Sequence, residues 1–317
     1  MMRPTGSRLR VDAVPLQPRT SVTIGLASVV GVMAFCWPLL VRAASPLAGR
    51  EDAPIVLAGV LVATLAVLTV ALGEGGIDVK AVAVLGLLTA VGSVLRPLSA
   101  GTAGVELIFI VIVLGGRVFG PGFGFALGST TVFASALLTG GVGPWMPFQM
   151  LAASWVGLGA GLLPRRVSGR TEVAMIAGYG AAAALAFGIA MNLSFWPFQL
   201  GLGTDLSFVA GDPVPANLHR FMLYSAATSL GWDVGRAVTT AIGVALLGRP
   251  VLTALRRTAA RAVFGSTGVV RPRPAVLAAH GGAGRRDTPS VPRNGQGAEQ
   301  GSAPSPAGLS GAPAGPA

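Results

Sequence analysis

Charge is the scarcest thing in this chain. Only 11% of its residues are Asp, Glu, Lys or Arg, against about a quarter in a soluble domain. Acids are scarcer still, 12 against 23 basic residues, for a net charge of +11. There is one cysteine, Cys36. It excludes an internal disulfide, carries no information about redox compartment, and sits in an apolar run as a packed or lipid-facing thiol. Two histidines, His219 and His280, are too few for a His-rich metal site. The 46 glycines include the run "GGRVFGPGFGFALG", but no glycine-lysine-Ser/Thr triplet follows, so no phosphate-cradling nucleotide loop is encoded. No Asp-Asp pair lies in or beside an apolar run, and no nucleophile has an adjacent base. Catalytic and metal-ligating residues are therefore expected to be none.

Apolar sequence is what is there. The chain is 52% hydrophobic with a mean hydropathy of +0.69. Eight runs reach membrane length, at about 21–42, 54–73, 79–96, 105–119, 122–139, 148–164, 172–193 and 219–248. The first is too long for a signal peptide's apolar region and is expected to be retained. With the N-terminus inside, 18 Lys and Arg fall on the inner side and 4 on the outer, with Arg236 left inside a helix. The expectation is a multi-pass protein of the cell membrane with both ends cytoplasmic. The same asymmetry accounts for the positive charge without nucleic acid.

Composition divides the chain into a cytoplasmic segment (1–20), two nearly featureless membrane helices (21–75), a core (76–250) and a basic tail (251–317). The tail is rich in Gly, Pro, Ala and Ser and is expected to be disordered. The core holds nearly all the Trp, Gly-Pro and intramembrane charge. Its outer loops, 97–104, 140–147 and 194–218, are unusual. The second contains "GVGPWMPFQM", with two prolines, Trp145 and Gln149 and no charge. The third contains "LSFWPFQLGLGTDLSFVAGDPVPANLHR". Aromatic rings beside Pro, Gly and uncharged hydrogen-bonding groups suit a pocket for a mostly apolar, flat ligand, whereas rings alone would suit an interfacial belt. Candidate substrate contacts are Glu106, Trp145, Gln149, Asn192, Trp196, Asn217, His219 and Tyr224. In the last span Ser225, Ser229, Trp232, Asp233, Arg236 and Thr240 share a face. Asp233 and Arg236, at i and i+3, are expected to form a structural ion pair deeper than the loops. Ala83, Gly86 and Ala90 form a small-residue stripe on the first core span, suited to close helix approach.

The stretch "RVFGPGFGFALGSTTVFASALLTGGVGPWMPFQMLAASWVGLGAGLLP", followed by "MNLSFWPF" and "LHRFMLYSAATSLGWDVGRA", resembles the substrate-binding S component of energy-coupling factor (ECF) transporters. The resemblance covers about 79–250. It implies an all-α integral membrane bundle of six helices, here preceded by two extra helices. It also implies capture of a vitamin-like small molecule at the outer face, without catalysis and without a bound cofactor. ATP would be used only by two ATPase partner subunits, reached through a transmembrane coupling subunit. The family's first helix packs on that subunit through an Ala-x-x-x-Ala motif. Gly86-x-x-x-Ala90 is its nearest match and departs from it by the leading glycine. "GPWMPFQM" is similar to cobalamin-related members. Two other classes remain open from the residues alone: a membrane structural or signalling protein, and an intramembrane enzyme.

Overall fold

The computed structural model describes residues 18–40, 79–99, 104–199 and 204–264, with isolated positions between 59 and 70. Most of the expected second span (54–73) and the tail beyond Phe264 lie outside the described residues. Nine helices are described: α1 (Pro18–Phe35), α2 (Trp37–Leu40), α3 (Val79–Ser99), α4 (Ile108–Phe119), α5 (Pro121–Thr139), α6 (Met146–Leu162), α7 (Gly169–Gln199), α8 (Val214–Thr228) and α9 (Leu230–Phe264). No strand occurs among the described residues. Five of the helices, α1, α3, α5, α7 and α9, are long and apolar enough to cross a membrane. The protein is an all-α integral membrane protein.

Helices α3, α4, α5, α6, α7 and α9 make up the core. At its centre is α4, whose 12 residues are buried at all positions except Val111. At 1.5 Å per residue it measures only about 18 Å, short of the roughly 30 Å of a hydrocarbon layer. It cannot reach both faces of that layer, so a helix end at membrane depth needs protein partners for its backbone groups. At the inner end Gly120, with φ 101°, turns the chain directly into α5, and Pro121 starts that helix. A side chain is strained at this φ, and proline at a first helical position sacrifices no hydrogen bond.

The closest packing is backbone on backbone. A Cβ placed on Gly124 would run into the Gly157 carbonyl, one on Gly157 into the Gly124 carbonyl, and one on Gly128 into the Ala153 carbonyl. Gly116 of α4 meets the same Gly157 carbonyl. With no difference in hydrophobicity between a neighbouring helix and lipid, such close approach and its dispersion contacts are what hold helices together. The glycine-rich run thus serves helix contact.

Two boundaries differ from those expected. The span drawn at 219–248 is broken at Ser229, which leaves α8 as a separate helix on the outer side and α9 as a 35-residue helix running past residue 250 to Phe264. Ser and Thr side chains compete for backbone hydrogen bonds, and here the Thr228 hydroxyl donates to the Tyr224 carbonyl at 2.7 Å. The span drawn to 193 continues to Gln199, through Pro197. A proline in the last turn removes one helical bond at a place where bonds are already running out. The sequence 194–199, read as loop, is therefore helix.

The first helix is fastened to the core. Trp155 of α6 donates from Nε1 to Ser28 Oγ at 2.9 Å, and Phe35 packs edge-on against Phe148 with centroids 5.1 Å apart. Trp37 donates to the Ser194 carbonyl at 3.1 Å. The C-terminal end of α1 thus meets the start of α6 and the C-terminal end of α7, as chain directions that alternate across a bundle require.

Filling the glycine seam tests this packing. Gly157→Leu should destabilise the detergent-solubilised protein by about 1–3 kcal/mol or more, because backbone cannot yield to a side chain. Gly86→Leu, which faces open space, should leave the unfolding temperature near wild type. Thermal unfolding followed by tryptophan fluorescence separates the two, and equal effects would mean that the seam is not where the bundle is held.

Candidate functional site

At the end of the core where α3 and α7 finish and α6 begins, polar side chains from five segments meet. Arg236, in the second turn of α9, donates from Nε to Glu106 Oε2 at 2.6 Å and from Nη1 to Asp233 Oδ1 at 2.8 Å. The other Asp233 oxygen accepts from Asn192 Nδ2 of α7 at 3.5 Å. Arg96, near the end of α3, donates from Nη2 to Gln149 Oε1 of α6 at 2.7 Å and lies 3.9 Å from Glu106 Oε1. The Arg236 guanidinium also sits over the Phe187 ring, 5.3 Å from its centroid, in cation–π contact. Two cations and two anions balance, as burial at this depth demands. Gly188 makes room for them, since a Cβ there would collide with Asp233.

The expected Asp233–Arg236 pair is present. Glu106, expected near one end of its span, is Arg236's closest acceptor. The segment before α4 and the first turns of α9 bring all three to one level.

Of the eight candidate contacts, Glu106, Gln149 and Asn192 belong to this cluster. Trp196 and Tyr224 form a second group with Phe221, and Asn217 lies in the same α8 helix as Phe221 and Tyr224. Trp196 is fully buried and donates to the Leu206 carbonyl at 2.7 Å. Its ring lies against Phe208 and Phe221, with centroids 5.5 and 5.7 Å away. Asn217 exchanges hydrogen bonds with the backbone of Val209, donating at 2.7 Å and accepting at 3.2 Å. These groups are spent on fastening the 204–213 segment to α7 and α8. His219 is exposed, and Trp145 is 44% exposed at the start of α6. Gly143 packs against the Trp145 ring, which stands on the outer hairpin.

Arg96 was missed as a site residue. The available signal was its side of the membrane: it is one of only four cations assigned outside, where the charge-asymmetry rule leaves few. Arg220, another of the four, is likewise paired, with Asp212 at 2.7 Å. A second ionic group at the opposite end was also missed. Buried Arg117 of α4 donates from Nε to Glu172 Oε1 at 2.9 Å and from Nη1 to the Leu163 carbonyl at 2.8 Å. Arg256 of α9 reaches the same Glu172 oxygen at 2.6 Å. Arg117 thereby ties α4 to α7 and satisfies a carbonyl left over at the end of α6.

Elsewhere a groove of about 350 Å³ runs between α6 and α7, lined by Ala152, Trp155, Tyr179, Ala183, Phe187 and Ala190 among others. None of the eight candidates lines it. Ala83, Gly86 and Ala90 are all exposed on α3, and nothing lies within 4 Å of a Cβ built on Gly86. Among the described residues, no group of three or more His, Cys, Asp or Glu is placed to hold a metal ion.

Arg236→Met should cost about 3–5 kcal/mol, because it strands two carboxylates at membrane depth. Adding Glu106→Gln and Asp233→Asn should restore much of the loss. Chemical denaturation in detergent measures both. A neutral Arg236→Met would mean that the cluster is not held by charge pairing.

No curated protein and no solved structure matches the chain. The family model for the ECF transporter substrate-specific component matches residues 80–253, a stretch that begins within the first turn of α3 and ends late in α9. That family consists of transporter components and not of enzymes. Six core helices coincide with the matched segment and more than half of the sequence is covered, so the chain belongs to the family of ECF transporter substrate-specific components.

Proposed function

We propose that the protein captures a vitamin-like small molecule at the outer membrane face and passes it to an ATP-driven coupling module, with both chain ends cytoplasmic. The observation that carries this reading is the convergence of polar side chains from five segments at one end of the six core helices. The neighbouring hairpin presents Trp145 there, half-exposed, and a ligand needs a flat apolar surface beside a few orienting polar groups. Pro144 and Pro147 fix the hairpin's shape, which lowers the ordering cost of binding. The sequence of that hairpin favours cobalamin or a related cofactor as substrate. ATP is consumed by the partner ATPases.

The coupling subunit is assigned to the exposed stripe of Ala83, Gly86 and Ala90 on α3. The N-terminal helix packs on α6 and α7, so it leaves that stripe uncovered. Supporting this placement, α3 meets the rest of the core through other residues: Thr89 bonds Thr130 of α5 at 2.8 Å, and Gly92 abuts Thr131.

Gly86→Leu should abolish co-purification with the coupling subunit and its ATPases while the variant still binds ligand alone. Wild-type co-purification would move the docking face elsewhere. Trp145→Ala should weaken binding by about 1–3 kcal/mol, roughly 5- to 150-fold. Calorimetric titration of cobalamins and flavins against both proteins reads this, and unchanged affinity for the ligand that binds would remove Trp145 from the site.

A further inference from the structure

Helix α9 is longer than a membrane needs. Its 35 residues measure about 52 Å at 1.5 Å each, against roughly 30 Å of hydrocarbon. One face of the helix marks where the surplus begins. Ile242 and Leu246 are exposed, Leu246 at 73%. Arg249, Thr253 and Arg257 follow, all exposed. At about 100° per residue these five side chains fall within roughly 80° of one another. An exposed apolar strip therefore becomes an exposed basic strip without changing face, about 27 Å past the start of the helix.

The cations of this strip have no counter-charge. Among the described residues, the one carboxylate at this end of the core is Glu172, and Arg117 and Arg256 both hold its Oε1. Neither Arg249 nor Arg257 pairs with a described acid. The neighbouring helix adds two more exposed cations, Arg166 just before α7 and Arg170 in its first turn. A Cβ on Gly248 would lie 3.4 Å from the Val173 side chain, so Arg249 stands level with that same first turn. Charge asymmetry across a membrane accounts for cations on this side. It does not account for their standing unpaired, on the same helix face as exposed apolar side chains one turn away. An acidic protein would supply charge alone. A phospholipid supplies an apolar chain and an anionic headgroup in the order of the strip.

We propose that this face of α9 binds an anionic phospholipid. Its acyl chain lies along Ile242 and Leu246, its headgroup sits at Arg249, and Arg257, Arg166 and Arg170 add to the attraction. Each cation near an anionic lipid surface is worth about fivefold in affinity, and the effect weakens as salt screens it. The site lies at the opposite end of the core from the Arg236 cluster, so it stands apart from the capture reading.

Retention of lipid by the full chain in detergent tests the inference, read by native mass spectrometry after adding phosphatidylglycerol or phosphatidylcholine of the same chain length. Phosphatidylglycerol should be held about tenfold more tightly. That preference should fall toward one in the double variant Arg249→Gln, Arg257→Gln. It should persist in Arg249→Lys, Arg257→Lys, which keeps the charge. It should also persist in Arg19→Gln, Lys80→Gln, which removes as much exposed charge from the starts of α1 and α3. All three variants should unfold at the wild-type temperature in lipid-free detergent, because these side chains are exposed. Equal retention of the two lipids overturns the inference, and so does an equal loss of preference in the Arg19 and Lys80 variant, which would reduce the effect to net charge. A drop in lipid-free unfolding temperature confined to the Arg249 and Arg257 glutamine variant would give these cations to the fold. Inorganic phosphate that raises the unfolding temperature as much as phosphatidylglycerol would give them to a free anion. A polyglutamate peptide that binds more tightly than phosphatidylglycerol would give them to an acidic protein. Each of these three results also overturns it.

Discussion

An arginine carried into a bilayer must be paired, and in this protein that requirement organises one half of the bundle. Arg236 holds Glu106 from the segment before α4 and Asp233 from its own helix, and Asn192 of α7 closes on Asp233. Each partner comes from a different part of the chain, so satisfying one charge sets the relative height of three helices. The inner end repeats the device with Arg117, Glu172 and Arg256. Helix α4 is clamped at both ends by these two groups. That is how a helix of about 18 Å can stand at the centre of a membrane bundle without leaving its ends exposed to lipid.

Between the two ionic levels, packing is supplied by absence of side chains. Gly116, Gly124, Gly128 and Gly157 let α4, α5 and α6 approach until backbone touches backbone. The ionic groups and the glycine seam divide the work: charges fix register along the helix axes, and glycines fix distance across them. The outer hairpin with Trp145 and the stripe of Ala83, Gly86 and Ala90 are exposed, on parts of the core that the N-terminal helix leaves uncovered.

What a side chain suggests in the sequence and what the fold does with it can differ. The aromatic group around Trp196 shows the contrast. Its rings and amides looked like ligand contacts in the sequence, and in the folded chain they hold the 204–213 segment in place. Arg96 shows the reverse. It reads in the sequence as one of a few unpartnered cations, and in the folded chain it bonds Gln149 and pairs with Glu106.

The sequence by itself determined the membrane class, the positions of the core helices from α3 to α6 and the Asp233–Arg236 pairing, because these follow from local rules. Apolar run length, hydrophobic periodicity and i, i+3 proximity operate within one helix and need no knowledge of neighbours. The glycine seam was legible as helix contact for the same reason. What only the tertiary structure decided was every partnership across helices: that Glu106 belongs to Arg236, that Arg96 belongs to Gln149, and that Arg117 joins Glu172. Their sequence separations, 130, 53 and 55 residues, leave no periodic trace. The choice among possible counter-charges is made by which helix ends the packing brings to the same depth.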